Sequence, residues 1–214
     1  MRNTFLNTVI AGVILTGCLI NNTATAGLID RGNGMIYDDV QNITWMQDTN
    51  YAKTSGYDAD GRMNWSDSVA WAGQLEFGGY DDWRLFNASP VCESGDFNCT
   101  GNELGHLFYN DFGLEAGDLV GDAAGDPEFD LFSNIEVIYW TADWYDGSYV
   151  PGRSNNAWTF VNMGGMQNGY NISAEFHTWA VRDGDVANAI PEPTSVAILS
   201  LGLFGLMFSR RSSK

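Results

Sequence analysis

Both ends of the chain carry apolar segments that read as membrane-directed rather than core-forming, so folding is confined to what lies between them. The C-terminal run Val196–Phe208 is thirteen residues long. At 1.5 Å per residue a helix of that length spans about 20 Å, short of the roughly 30 Å of a bilayer's hydrocarbon. Thr194, Ser195 and Ser209 extend it, Arg210-Arg211 close it on a basic stop, and the prolines of Pro191-Glu192-Pro193 cannot continue a helix before it. An all-round apolar helix has no polar face to show water, so the segment reads as a short transmembrane helix. At the other end Met1-Arg2-Asn3 is a positive region, residues 9–20 are mostly apolar, and Ala24-Thr25-Ala26 offers a small-residue cleavage site. That is the order of a secretory signal peptide, residues 1–26.

The Pro-Glu-Pro, the apolar run and the basic tail, residues 191–214, resemble the bacterial PEP-CTERM sorting signal, carried by Pro191, Glu192, Pro193, Arg210 and Arg211. The resemblance implies recognition by a membrane exosortase and removal near the Pro-Glu-Pro. A rival reading of the N-terminus is Leu15-Thr16-Gly17-Cys18, which resembles a lipobox; Cys18 would then be lipidated in place of cleavage after Ala26. On either reading basic residues flank both apolar ends on the cytoplasmic side, and the residues between them face the periplasm or beyond. The expectation is export from a Gram-negative bacterium, transient anchoring in the inner membrane, then a cell-surface or extracellular fate. Signal peptidase and exosortase are the processing partners, and the membrane is touched only through the tail.

Removing both ends leaves about 165 residues, enough for one domain with a core and not for two. That domain is placed at residues 27–184, with a linker at 185–190. All 27 acidic residues lie between Asp30 and Glu192, together with six basic ones, Arg31, Lys53, Arg62, Arg84, Arg153 and Arg182, for a net charge near −21. Such a field repels nucleic acid, anionic membrane surfaces and sulfated polysaccharides, whose binding needs a basic footprint. Neutral glycans, cationic polymers and divalent cations remain. Past the signal peptide the cysteines are Cys92 and Cys99, an even pair bound for an oxidising space without histidines nearby, and so a disulfide closing a small loop.

Residues 27–48 alternate apolar stretches with turn residues, and Asn33-Gly34 predicts a hairpin between strands reaching Met35 and Trp45. Lys53 to Arg62 reads as a polar loop. Asn64 is a helix N-cap with Asp67 three positions on; Trp65, Val69, Ala72 and Leu75 follow at helical spacing, and Gly78-Gly79 ends the helix. A shorter helix is predicted around Asn102 to Tyr109, with Leu104, Leu107 and Phe108 on one side. Residues 136–141, 157–161 and 178–182 read as strands. This order predicts an α+β fold: antiparallel strands, two helices and long loops in a single domain.

The segment Gly32 to Met46, Trp65 with its helix, Gly78-Gly79-Tyr80-Asp81-Asp82-Trp83-Arg84-Leu85, Tyr139-Trp140-Thr141, Ala157-Trp158-Thr159-Phe160 and Val181-Arg182-Asp183-Gly184 resemble, in that order, the Lcl C-terminal domain family. That bacterial surface domain takes its name from a collagen-like adhesin. The resemblance implies a C-type-lectin-like fold in which N- and C-terminal strands pair, and an adhesive or ligand-binding role. The adhesin's sulfated ligands do not carry over to a domain near −21. The family's proline after Trp-Arg-Leu is Phe86 here.

No nucleophile–base motif surrounds His106 or His177, the only histidines, so binding is expected rather than catalysis. Calcium is the candidate ion, because Asp118, Asp122, Asp126 and Asp130 sit among glycines and supply the oxygen ligands that hard cations prefer; an acidic solvated loop is the alternative. Trp144, Tyr145, Tyr149 and Tyr170 are the candidate ligand aromatics, while Trp45, Trp65, Trp83, Trp140, Trp158 and Trp179 are assigned to the core. The expectation is a lectin-like binding or adhesion domain for a neutral glycan or exopolysaccharide. A structural matrix component without specific ligand is the alternative, and a glycan-active enzyme stands third. Mature protein recovered from its host is predicted to end near Pro193, and an intact mass that still includes Lys214 would overturn the sorting assignment.

Overall fold

In the computed structural model, which describes residues 27–145 and 155–186, Asn33 and Gly34 both sit at positive φ, 55° and 80°. That is the geometry of a two-residue hairpin turn whose twist matches its strands. The elements run β1 (Leu28–Gly32), β2 (Met35–Asp38), β3 (Ile43–Met46), α1 (Tyr51–Thr54), β4 (Arg62–Met63), α2 (Trp65–Gly73), β5 (Arg84–Leu85), α3 (Glu103–His106), β6 (Ile138–Tyr145), β7 (Asn156–Val161), β8 (Met166–Asn171), β9 (Phe176–His177) and β10 (Ala180–Asp183). They form two five-stranded sheets, ordered β1-β2-β3-β10-β5 and β4-β9-β6-β7-β8. All pairings are antiparallel except the contact of β6 with β9. The fold is α+β, with many strands and few helices.

The first and last strands share one sheet, as expected: Val181 lies opposite Trp45, and Ile36 lies on Trp45's other side. Between β9 and β10 the chain passes from one sheet to the other through Thr178 and Trp179, both buried. Trp179 rests against Trp45, Phe132 and Tyr139 with ring centroids 4.8, 5.1 and 5.5 Å away. Its indole N–H donates to the Met46 carbonyl at 2.8 Å. A bulge in β6 adds a second stitch, because Ala142 N–H donates to the Phe86 carbonyl and Ala88 N–H to the Asp143 carboxylate. Phe86, where the resembled family has proline, is itself fully buried against Trp45.

Trp45, Trp83, Trp140 and Trp179 are core residues, whereas Trp158 is half-buried. It lies on the sheet face that carries Tyr145 of β6, and the two rings meet at 4.2 Å, tilted by 52°. The Asn64 side chain caps α2 by accepting the Asp67 N–H. The helix stops at Gly73, well before Gly78, and buries Ser68, Trp71 and Ala72. Val69, one residue off that stripe, is 39% exposed, and Trp65 and Leu75 are only half-buried. α1 overlaps the start of the segment read as a polar loop, and β4 begins at its last residue, Arg62. β8 escaped the sequence reading because Met-Gln-Asn-Gly-Tyr-Asn lacks β-branched residues.

The helix capped by Asn102 is shorter than its apolar pattern and gives way to a π-helical turn at Leu107–Asp111. Leu104, Leu107 and Phe108 are nevertheless all buried, as the pattern required. Cys92 and Cys99 are joined by a disulfide. Closing so small a ring restricts the unfolded chain, a stabilisation of about 2–3 kcal/mol on the loop-entropy account. Buried Gln167 ties this ring and its flanks to β8: its amide donates to the Cys92 and Ser89 carbonyls and accepts from Ser89 N–H and from the Asn102 side chain. The segments read as a signal peptide, residues 1–26, and as a sorting signal with its apolar helix, residues 191–214, lie outside the described residues. Among the described residues no helix is long and apolar enough to cross a membrane.

Trp179→Ala is predicted to cost about 3–5 kcal/mol in chemical denaturation, by cavity and by an orphaned carbonyl. Val69→Ser is expected to stay within about 0.5 kcal/mol.

Candidate functional site

A concavity lies between α1 and the C-terminal end of α2. Gly56, at a φ of 78°, turns the chain out of α1 and carries Tyr57 across to face α2. α2 ends as the N–H groups of Gln74 and Leu75 bond back to the carbonyls of Trp71 and Ala72. The resulting groove of about 410 Å³ is lined by Tyr51, Ser55, Gly56, Tyr57, Trp71, Gln74, Leu75 and Glu76. Trp71 is buried beneath it, while Tyr57 stands 60% exposed on its lip. A second hollow of about 340 Å³, lined by Glu76, Gly79, Tyr80 and Asp81, shares Glu76 with the first. Both volumes fall at the small end of the roughly 300–1,000 Å³ of small-ligand sites.

A tight turn joins the two hollows. Phe77 and Tyr80 exchange reciprocal backbone hydrogen bonds of 3.0 Å around Gly78 and Gly79, both at positive φ. A Cβ on Gly78 would also stand 2.8 Å from the Met35 thioether. Glu76 and Asp81 flank this pair, one on each arm. Among the described residues neither carboxylate has a hydrogen-bond or ion-pair partner, whereas the next residue, Asp82, grips Arg182 at 2.7 and 2.8 Å. The Arg182 hydrogen bonds hold the Asp82 carboxyl below its ordinary value, and the same guanidinium lies 4.0 Å over the Tyr80 ring. Aromatic faces, an amide and unpaired carboxylates make a surface for a polyhydroxylated or cationic ligand. They do not make a nucleophile–base pair.

The aromatics singled out in the sequence are split between two faces. Trp144, Ala157 and Tyr170 occupy one register row across β6, β7 and β8. Trp144 is 44% exposed and meets the edge of Trp65, and Tyr170 is half-buried against Phe176. Tyr145 is a correction: it is only 8% exposed, points to the opposite face, and covers Gly169, where a Cβ would meet its ring at 2.4 Å. Alternation along a strand forces neighbours apart, so Trp144 and Tyr145 cannot serve one surface. Tyr149 lies outside the described residues.

Asp118, Asp122, Asp126 and Asp130 each close a local turn by accepting a backbone N–H, from Glu115, Leu119, Glu128 and Gly125 respectively. Among the described residues no three or more carboxylate, cysteine or histidine side chains are gathered as a metal site. Sequence reasoning missed the groove because Tyr57 sits in the stretch Lys53 to Arg62, read as a polar loop, and Tyr51, just before it, was assigned to no element. The available signal was two tyrosines around Gly56, followed by two acids around Gly78-Gly79.

Compared with known proteins, residues 189–211 match the PEP-CTERM protein-sorting motif. No curated protein and no solved structure matches the chain. The motif supports an exosortase-processed protein with a cell-surface or extracellular fate in a Gram-negative bacterium, and it implies exosortase as the processing partner.

Two polar groups in the interior lie apart from the groove. Burial pushes the His177 imidazole down although Glu136 approaches its Nε2 to 3.8 Å. Asp111, at the end of the π-helical turn, has a side chain only 9% exposed and an Oδ2 with no hydrogen-bond partner; His106 stands 3.9 Å off. Desolvation, reinforced by Asp38, Glu128 and Asp39, pushes its carboxyl up to about 7. The folded state therefore keeps this proton at pH values where the unfolded chain, titrating near 4, has released it. Its stabilising effect is complete below about pH 4 and is lost as pH rises through about 7. Asp111→Asn should raise the melting temperature at pH 8 by about 3 °C or more and leave it nearly unchanged at pH 4. A thermal scan across that range in which both proteins show the same pH dependence would refute this.

Proposed function

We propose that this chain is a non-enzymatic surface or extracellular-matrix protein whose single lectin-like domain binds a neutral glycan or exopolysaccharide through the groove between α1 and α2. The observation that carries the reading is the groove itself: an exposed tyrosine, a second tyrosine and an amide around a concavity of sugar-binding size, with no catalytic pair beside it. Aromatic rings cover the apolar faces of pyranose rings, and amides and carboxylates take their hydroxyls. The sorting motif at residues 189–211 supports delivery to a polysaccharide-rich space. The pairing of the terminal strands in one sheet is the arrangement that the Lcl resemblance implies, and it supports the lectin-like reading. The acidic domain selects against sulfated or phosphorylated ligands.

A glycan array followed by calorimetry on the exported protein tests the assignment. Tyr57→Ala is expected to weaken the best neutral ligand about tenfold or more, the effect of losing one stacking contact of about 1.4 kcal/mol. If Trp144→Ala has that effect and Tyr57→Ala has none, the site belongs on the β6-β7-β8 face instead. An array without a single glycan bound would leave the matrix-component reading in its place.

A further inference from the structure

The groove's rim carries charge that nothing in the described structure answers. Glu76 and Asp81 flank the reciprocally bonded Phe77–Tyr80 pair, and so stand opposite each other at the position next to a two-residue turn. Like charges directly opposite across such a pair are unfavourable. Elsewhere in the domain acidic side chains recruit the few arginines, as Asp82 does Arg182, Asp185 does Arg31, and Glu103 with Asp183 does Arg84. Glu76 and Asp81 recruit none, and Lys53, on the outer side of α1, does not line either hollow. Tyr51 and Tyr57 line the first hollow with Glu76, and Tyr80 lines the second with Glu76 and Asp81; such rings attract cations, and Arg182 already lies over Tyr80 in that way.

From this arrangement we infer that the preferred ligand of the groove is an amino sugar with a free ammonium group, presented by a cationic, partly deacetylated polysaccharide. The inference rests on the glycan-binding reading above and narrows it. The sugar ring occupies the hollow between Tyr51 and Tyr57, and the ammonium is received between Glu76 and Asp81. The surrounding negative field concentrates the polycation at the surface, while the two acids with the tyrosines supply local selection.

The test is calorimetry on the exported protein with a glucosamine hexamer and its fully N-acetylated counterpart, at pH 6 and low salt. The glucosamine form is expected to bind at least tenfold more tightly. Glu76→Gln and Asp81→Asn should each remove most of that preference, weakening the glucosamine form far more than the N-acetylated one, without lowering the melting temperature, since each removes one of two like charges. Tyr57→Ala should weaken both ligands. Equal affinity, or preference for the acetylated form, would overturn the ammonium assignment and leave glycan binding at the groove standing. Glucosamine binding untouched by all three substitutions would show attraction to bulk charge alone, and would overturn the assignment too. Failure of both hexamers to bind would remove the assignment together with the groove as an oligosaccharide site.

Discussion

The passage of the chain through Trp179 is the constraint on which the rest of the domain depends. β9 belongs to one sheet and β10 to the other, so the two residues between them must be buried while the backbone changes sheets. The indole supplies what such a crossing needs. It presents a large apolar surface to Trp45, Phe132 and Tyr139 and one donor to the Met46 carbonyl. Because β10 then lies between β3 and β5, the last strand of the domain is held in the middle of a sheet begun by the first. The β6 bulge stitches the sheets again through Phe86 and Asp143. A loop or helix end set on this frame inherits its rigidity, which is what a binding groove requires.

Pairing of polar groups in the interior is uneven. Gln167 uses both ends of its amide to hold the disulfide ring and the α3 cap against β8, so one buried side chain organises a long irregular segment. Other buried groups have no partner among the described residues, the Trp45 indole N–H, the Thr178 hydroxyl and Asp111 among them. The unpaired oxygen and raised titration of Asp111 mark a place where burial has been accepted without a partner.

Charge organises the surface. The arginines of the described domain are drawn into pairs with carboxylates or backbone carbonyls, and the excess of acid remains outside. A surface of this kind disfavours an anionic polymer, since counterion release is driven by cations and the described arginines are already engaged. It remains open to neutral or cationic ligands, and Glu76 and Asp81 are where unpaired acid coincides with a concavity.

Much of the frame was legible in the residues. Asn33-Gly34 announced its hairpin because positive φ restricts residue type, and Asn64 and Asn102 announced helix starts because an orphaned N–H needs a nearby acceptor. The cysteine pair, the acidic balance and the order of the C-terminal tail likewise depend on composition and local order alone. What the sequence could not disclose was which of several apolar neighbours would face inward. Val69 turned outward, Tyr145 inward, and Trp158 settled between, because those outcomes depend on where one sheet meets another element. The groove was hidden for the same reason: Tyr51, Tyr57 and Glu76 are distant in sequence and become one surface only when α1 docks against the end of α2. Local chemistry determines turns, caps, charge and destination, whereas burial and juxtaposition are properties of packing, which no single segment contains.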